Sequence, residues 1–92
     1  MLSIVIPVLN EDKNILKVLE KIKDNISGEK EVLIIYDFDG DTTIPVIKQN
    51  IEKFKSLNIN LIKNDIAPGV VNALKKGFLS TKGKYTLAVM GD

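Results

Sequence analysis

Three carboxylates alternate directly after an apolar run of the sequence. Asp37, Asp39 and Asp41 follow Ile34-Ile35-Tyr36 and precede Thr42-Thr43. This pattern is typical of a buried strand that ends in an acidic turn and leads into a helix. Carboxylates in such a turn can accept hydrogen bonds from a ligand, hold a metal ion or perform acid–base chemistry. Asp41 alone could equally be a helix cap.

The composition leaves carboxylates as the groups for any acid, base or metal chemistry. The 92 residues include no histidine and no cysteine, which excludes an imidazole base, a thiolate zinc site, a cysteine nucleophile and a disulfide. The net charge is +1 with no long block of one sign, so we expect no nucleic-acid partner. The longest apolar runs are too short to span a bilayer. We therefore expect a soluble, cytoplasmic chain without a membrane segment.

Strands and helices are predicted to alternate along the chain. The apolar or alternating stretches at residues 2–8, 31–36, 58–63 and 85–90 indicate four strands. Asn10 offers an N-cap for a first helix that Gly28 ends, and Thr43 can cap a second helix with Pro45 in its first turn. We expect the buried stripe of the second helix to comprise Ile44, Ile47, Ile51 and Phe54.

The third helix is predicted to begin at Pro68, with Gly77 allowing it to pack closely. The resulting order β-α-β-α-β-α-β predicts an α/β fold, a three-layer Rossmann-like arrangement of parallel strands with helices on both faces. Because the first strand is a nearly continuous apolar run, we place it in the centre and expect the strand order 3-2-1-4. Ligands bind beyond the carboxyl ends of such strands, where the acidic and amide residues collect: Asn10, Glu11, Asp37, Asp39, Asp41 and Asp92.

Two enzyme families end a strand in a comparable acidic turn. Asp37-Phe38-Asp39-Gly40 resembles the Asp-x-Asp-Gly of haloacid-dehalogenase-like phosphatases, which would make Asp37 a nucleophile and Asp39 the acid/base. That motif expects Thr at the position of Asp41 and usually lies on the first strand. No Gly-x-Gly-x-x-Gly follows the first strand and no Gly-Lys-Ser/Thr loop occurs, so a nicotinamide or simple nucleoside-triphosphate enzyme is not expected.

Family 2 glycosyltransferases resemble the chain over nearly its whole length. Their acidic turn, Asp-Asp-x-Ser-x-Asp-x-Thr, is matched at Asp37, Asp41 and Thr43. Their opening Val-Ile-Pro-x-x-Asn-Glu is similar to residues 5–11. The series Gly69, Asn72-Ala73, Gly77 and Gly83-Lys84-Tyr85 resembles their third helix and the start of their fourth strand. Met90-Gly91-Asp92 stands where the family has Asp-x-Asp, as in the branch similar to dolichol- or polyprenol-phosphate sugar transferases.

The resemblance implies a fold, a function and a set of site residues. Residues 1–92 would form a single domain, the amino-terminal part of a GT-A glycosyltransferase domain that stops within the Asp-x-Asp motif. It would bind the nucleotide-diphosphate sugar of an inverting, metal-dependent transferase, with Mg²⁺ or Mn²⁺ held by Asp92. The catalytic base would lie beyond residue 92. The implied donor nucleotide-binding residues are Pro7, Val8, Asn10, Glu11, Asp37 and Gly69.

The fourth strand raises the question of self-association. Residues 85–90 form an apolar stretch without proline or internal charge. If they lie at the edge of the sheet, their unpaired backbone groups can pair with another chain. We therefore expect a homodimer through the fourth strand, and a catalytically inert, self-associating fragment is the alternative to a donor-binding one.

Overall fold

The computed structural model describes residues 1–91 of the chain. Strands and α-helices alternate over these residues, as the sequence predicts. In chain order they are β1 (Leu2–Pro7), α1 (Ile15–Asn25), β2 (Lys30–Tyr36), α2 (Thr43–Gln49), β3 (Ile59–Lys63), α3 (Val70–Ser80) and β4 (Tyr85–Ala88), with a short 3₁₀ helix, Lys55–Leu57, before β3.

The four strands form one parallel sheet in the order β3-β2-β1-β4. Ile4 of β1 lies opposite Val32 of β2 on one side and Leu87 of β4 on the other. The central position of β1 explains its apolar sequence, since five of its six residues are buried. The predicted class and strand order are therefore confirmed, and the topological switch falls between β1 and β4.

The side chains of the sheet alternate between two apolar layers. Ile4, Ile6, Val32 and Ile34 point to one face, where they pack with residues of α1, α2 and the turns that follow α2: Ile15, Leu19, Ile22, Ile44, Ile47, Phe54 and Leu57. The opposite face carries α3, whose Ala73 packs against Val5, Leu33 and Ile35. This alternation follows from the two-residue period of a strand, and it places helices on both faces of the sheet, as predicted.

Gly77 allows α3 to lie directly on the sheet. A Cβ atom at this position would overlap Cγ1 of Val5 and lie 3.3 Å from Cγ1 of Ile35. Only glycine fits without displacing one of these side chains. The close packing predicted for Gly77 is therefore present.

Helix boundaries are where the sequence prediction was wrong. Asn10 does not cap α1, because its φ of +50° redirects the chain and the helix begins five residues later, at Ile15. α1 also ends at Asn25 rather than at Gly28, and α3 begins at Val70 rather than at Pro68.

α2 is shorter than its apolar spacing suggests. It ends at Gln49, and the chain continues in tight turns, with Asn50 N donating to Ile47 O and Phe54 N to Ile51 O. These turns bury Phe54 but leave Ile51 39% exposed. The apolar period therefore located Phe54 in the core but did not give the helix length. Thr43, predicted to cap α2, is instead its first residue.

The end of the sheet opposite the strand carboxyl ends contains a buried polar network. One carboxylate oxygen of Glu31 accepts from Ser3 Oγ and from the backbone N of Lys82, both at 2.6 Å. Ser3 Oγ in turn accepts from the backbone N of Gly83 at 2.8 Å. Burial opposes ionisation of Glu31, but these hydrogen bonds outweigh it and hold its pKa below the usual value for a glutamate. The network ties the turn before β4 to β1 and β2.

The two edges of the sheet differ. β4 is exposed at all four residues, with Tyr85 66% and Leu87 42% exposed. β3 is partly covered, and Lys63 at its end forms an ion pair with Asp39. Over residues 1–91 every helix falls short of the length and apolar character that a bilayer span requires.

Candidate functional site

A cleft opens at the carboxyl ends of the strands, next to the topological switch. It lies between the segment after β1, the end of β2, the start of α3 and the segment after β4. Five of the six donor-binding residues predicted from the sequence line it: Pro7, Val8, Glu11, Asp37 and Gly69. The remaining lining residues, Leu9, Val70, Met90 and Gly91, are not among those predicted to bind the donor.

Asp37, the first residue after β2, lies in the cleft wall with both carboxylate oxygens oriented. Its Oδ1 accepts from Asn64 Nδ2 at 2.8 Å, and its Oδ2 accepts from the backbone N of Gly69 at 3.0 Å. Gly69 precedes α3 with a φ of +113°, a conformation that favours glycine. The carboxylate therefore joins the end of β2 to the start of α3 across the cleft.

Asn64 is the functional candidate that the sequence reading missed. It directly follows β3 and is only 8% exposed. Besides contacting Asp37, its side chain donates to the carbonyl of Ala67 at 2.6 Å and accepts from the backbone N of Ile66 at 3.0 Å. A polar residue at the end of a strand beside the acidic turn was the available signal, but its partners could not be deduced from spacing.

Asp41 ties the β1–α1 loop to the β2–α2 loop. It is 1% exposed, and its two carboxylate oxygens accept from the backbone N of Asn10 at 3.2 Å each. Its Oδ1 also accepts from the backbone N of Thr43 at 2.8 Å, a capping contact at the start of α2. The cap considered for Asp41 is thus present, and it is combined with a contact between loops.

Further hydrogen bonds join the same pair of loops. Thr43 Oγ1 accepts from the backbone N of Glu11 at 2.8 Å, and Asn10 Oδ1 accepts from the backbone N of Thr42 at 3.0 Å. The side chain of Asn10 is therefore directed to the neighbouring loop, and Asn10 is not among the residues that line the cleft. These contacts hold the backbone of Glu11, so that its side chain faces the cleft.

The cleft is acidic. Glu11 and Asp37 contribute carboxylates to its lining, and among residues 1–91 no lysine or arginine lines it. Gly91 packs closely against two other lining residues, since a Cβ at this position would lie 3.3 Å from Cγ of Glu11 and 3.2 Å from Cγ1 of Val8. An anionic ligand would enter this cleft most favourably together with a cation.

Asp39 is placed apart from the cleft. Its side chain is 82% exposed, it forms a 3.0 Å ion pair with Lys63, and it does not line the cleft. Asp37 and Asp39 therefore have different surroundings, whereas the phosphatase alternative requires both to reach the same phosphate ester, Asp37 at the phosphorus and Asp39 at the leaving-group oxygen. Nothing in the described residues favours that alternative.

The cleft offers hard oxygen ligands of the kind that Mg²⁺ and Mn²⁺ prefer. Within the described residues, however, no group of three or more acidic side chains is placed to hold a metal ion. Asp92, the predicted metal ligand, lies outside the described residues, and in the sequence it directly follows Gly91 of the cleft wall. Glu11 and Asp37 are thus compatible with a cation but do not form its site alone.

The fold and the cleft define an α/β protein of the Rossmann-like class, with its candidate site at the topological switch. The chain belongs to glycosyl transferase family 2, whose model matches residues 3–92. It is 34% identical over 99 residues to a dolichyl-phosphate beta-glucosyltransferase of Dictyostelium discoideum, covering 99% of this chain and 30% of the relative.

Solved structures share the fold. A mannosyltransferase from Pyrobaculum calidifontis, in complex with GDP-Man and Mn²⁺, matches with a TM-score of 0.86 at 19% identity, over 99% of this chain and 27% of the other. Glucosyl-3-phosphoglycerate synthase from Mycobacterium tuberculosis, in complex with Mn²⁺, UDP and glucosyl-3-phosphoglycerate, matches with a TM-score of 0.78 at 20% identity, over 100% and 33%. The fold is that of the amino-terminal part of GT-A glycosyltransferases, and the chain spans about a third of each relative's length.

Proposed function

We propose that this chain is the donor-nucleotide-binding part of a metal-dependent, inverting glycosyltransferase, and that its domain continues beyond residue 92. The observation that carries the proposal is the cleft at the carboxyl ends of the strands, which is lined by predicted donor-binding residues at the end of β1, in the loops after β1 and β2, and before α3. Membership of glycosyl transferase family 2 supports it.

Asp37 is proposed to hold the nucleoside. A carboxylate has about four acceptor positions, and the protein occupies two of them, through Asn64 and Gly69. The remaining positions can accept from a base N–H or a ribose hydroxyl. Glu11 is proposed to lie near the ribose, on the opposite wall formed with Pro7 and Val8. The Asp37 carboxylate would then have two roles, because it would hold Asn64 and Gly69 beside the cleft and also bind the donor.

The acidic lining supports a requirement for a divalent cation. A nucleoside diphosphate carries negative charge, and the described cleft offers it carboxylates but no basic side chain. Mg²⁺ or Mn²⁺ held at this cleft would neutralise the negative charge of the diphosphate leaving group. We propose Asp92 as a ligand of this ion. The two structural relatives described above were solved with Mn²⁺ and a nucleotide or nucleotide sugar.

Inversion at the sugar carbon and a catalytic base from beyond residue 92 are proposals that rest on the family. We also propose a cytoplasmic location for the chain. Along the part of the chain that the structure describes, the cleft carboxylates Glu11 and Asp37 are assigned to the donor. The family's chemistry then requires a further residue to activate the acceptor.

Calorimetric titration of the chain with UDP and GDP tests donor binding. With Mn²⁺ present, one of the two should bind, and chelation of the metal should weaken that binding by at least about tenfold, a difference of about 1.4 kcal/mol. Adenosine diphosphate serves as the control for nonspecific phosphate binding. If UDP and GDP fail to bind at millimolar concentration with Mn²⁺, the donor-binding function is excluded for this chain.

We also propose that two copies of the chain pair through β4. Among residues 1–91 no strand pairs with the outer side of β4, and the exposed side chains of this strand include Tyr85 and Leu87. The β3 edge is less suited to pairing, because its residues are partly covered and it ends in Lys63, which forms an ion pair with Asp39. Antiparallel pairing of two β4 strands about a two-fold axis would satisfy the unpaired backbone groups.

Sedimentation velocity tests the dimer. The wild-type chain should sediment as a dimer, and Leu87→Lys, which places a charge on the exposed strand, should give a monomer. Asn60→Lys adds the same charge at the β3 edge and should leave the dimer intact. A wild-type chain that stays monomeric at the highest soluble concentration would show that β4 does not mediate pairing.

A further inference from the structure

Asn64 uses its side chain entirely within the protein. A side-chain amide has two N–H donors and one acceptor oxygen. Here Nδ2 donates to Asp37 and to the carbonyl of Ala67, and Oδ1 accepts from the backbone N of Ile66. The partners also fix which way the amide points, since the reversed orientation would place its oxygen against two acceptors. Asn64 therefore has no free donor for a ligand.

We propose that Asn64 is a positioning residue for the nucleotide site, acting through Asp37. The proposal rests on the proposed role of Asp37 in binding the donor. Asn64 holds one oxygen of Asp37, while the loop that it organises, residues 64–69, brings the backbone N of Gly69 to the other oxygen. With both oxygens held, the carboxylate cannot rotate freely, and its remaining acceptor positions face a fixed direction.

Burial makes this arrangement rigid. Asn64 is 8% exposed, and its backbone N donates to the carbonyl of Tyr36, the residue before Asp37, at 2.7 Å. The side chain and the backbone of one residue are thus bonded to two consecutive residues at the end of β2. A group held in this way needs no ordering when a ligand arrives, which favours binding.

Nucleotide affinity of variants tests the proposal. In the presence of Mn²⁺, Asn64→Ala should lower the affinity for UDP or GDP, whichever the wild type binds, by about tenfold or more, the usual effect of losing one charge-assisted hydrogen bond. Asn60→Ala removes an exposed asparagine of β3 and should change the affinity by less than about twofold, since a surface substitution usually has little effect. If Asn64→Ala folds poorly, Asn64→Asp is the second variant. It keeps the size of the side chain and replaces the donor facing Asp37 with an oxygen, and it should lose at least as much affinity.

A double substitution separates positioning from general destabilisation. If Asn64 acts through Asp37, adding Asn64→Ala to Asp37→Ala should lower the affinity no further, as measured by ligand-observed NMR at millimolar nucleotide. A structural role alone would give the same loss in both backgrounds. The proposal would be overturned if Asn64→Ala lowered the nucleotide affinity equally in the wild type and in Asp37→Ala. It would also be overturned if Asn64→Ala and Asn64→Asp both bound nucleotide as tightly as the wild type.

Hydrogen exchange of the Gly69 amide provides a readout that does not depend on nucleotide. This N–H should exchange faster in Asn64→Ala than in the wild type, while the amides of β1 keep their exchange rates. An unchanged Gly69 rate would show that Asn64 does not hold this carboxylate. If the wild-type chain binds no nucleotide, the proposed function is wrong, and so is the role of Asn64 in the donor site. A faster exchange of the Gly69 amide in Asn64→Ala would then show only that Asn64 holds Asp37.

Discussion

Replacing Asp37 with alanine should weaken nucleotide binding far more than replacing Asp39. Asp37 lines the cleft and is held by Asn64 and Gly69, whereas Asp39 is exposed and contacts Lys63 outside the cleft. Loss of one hydrogen bond to a charged group costs about 1.5–3 kcal/mol. That cost corresponds to an affinity about 10- to 150-fold lower for Asp37→Ala.

Asp39→Ala is the matched control, since it removes the same charge two residues away. Its affinity should stay within about twofold of the wild type, because an exposed ion pair contributes little. Isothermal titration of both variants with UDP or GDP and Mn²⁺ measures the difference, and circular dichroism checks that both chains fold. Equal losses in the two variants would refute the assignment of Asp37 as the donor-binding carboxylate.

Three further outcomes follow from the structure. Gly77→Ala should lower the free energy of unfolding in urea by about 1–3 kcal/mol, since the added methyl overlaps Val5; an increase would mean that α3 can move away from the sheet. The hydrogen bonds from Ser3 and Lys82 lower the pKa of Glu31. Their contribution to the free energy of unfolding is therefore complete above the usual pKa of a glutamate and is lost as the pH falls through the lowered pKa. Wild-type stability should therefore fall more on acidification than that of Glu31→Gln, and parallel pH curves would argue against this network. Finally, the 92-residue chain alone should transfer no sugar, since it spans 30% of its Dictyostelium relative and binding a donor does not complete a displacement; detection of a radiolabelled glycoside product would contradict this.

The sheet could be predicted from the sequence because its signal is local. The apolar residues 4–6 are buried on both faces, and this pattern indicates a central parallel strand wherever it occurs. Once β1 is central, the short connections leave few possible strand orders. Asp37 could be placed at the cleft for the same reason, since the end of a strand fixes its position.

Contacts between loops could not be predicted in this way. Asn10 was expected to cap a helix, yet its backbone N contacts Asp41, which is 31 positions away in the sequence. Asn64 reaches Asp37 across 27 positions. Such partners depend on the three-dimensional course of two loops, which residue spacing does not encode. The start of α1 was predicted wrongly for a related reason. A residue such as Asn10 is suited to capping a helix, but its type does not show that the loop continues past it.

The most direct test of the account is to map nucleotide binding on the isotope-labelled chain by NMR. UDP or GDP with Mg²⁺, a diamagnetic ion, should shift the backbone signals of cleft residues such as Val8, Glu11, Asp37 and Gly69. Signals of the exposed Asn60 of β3 should stay unchanged. Shifts confined to residues outside the cleft, or no shifts at millimolar nucleotide, would contradict the claim that this cleft binds the nucleotide of a sugar donor.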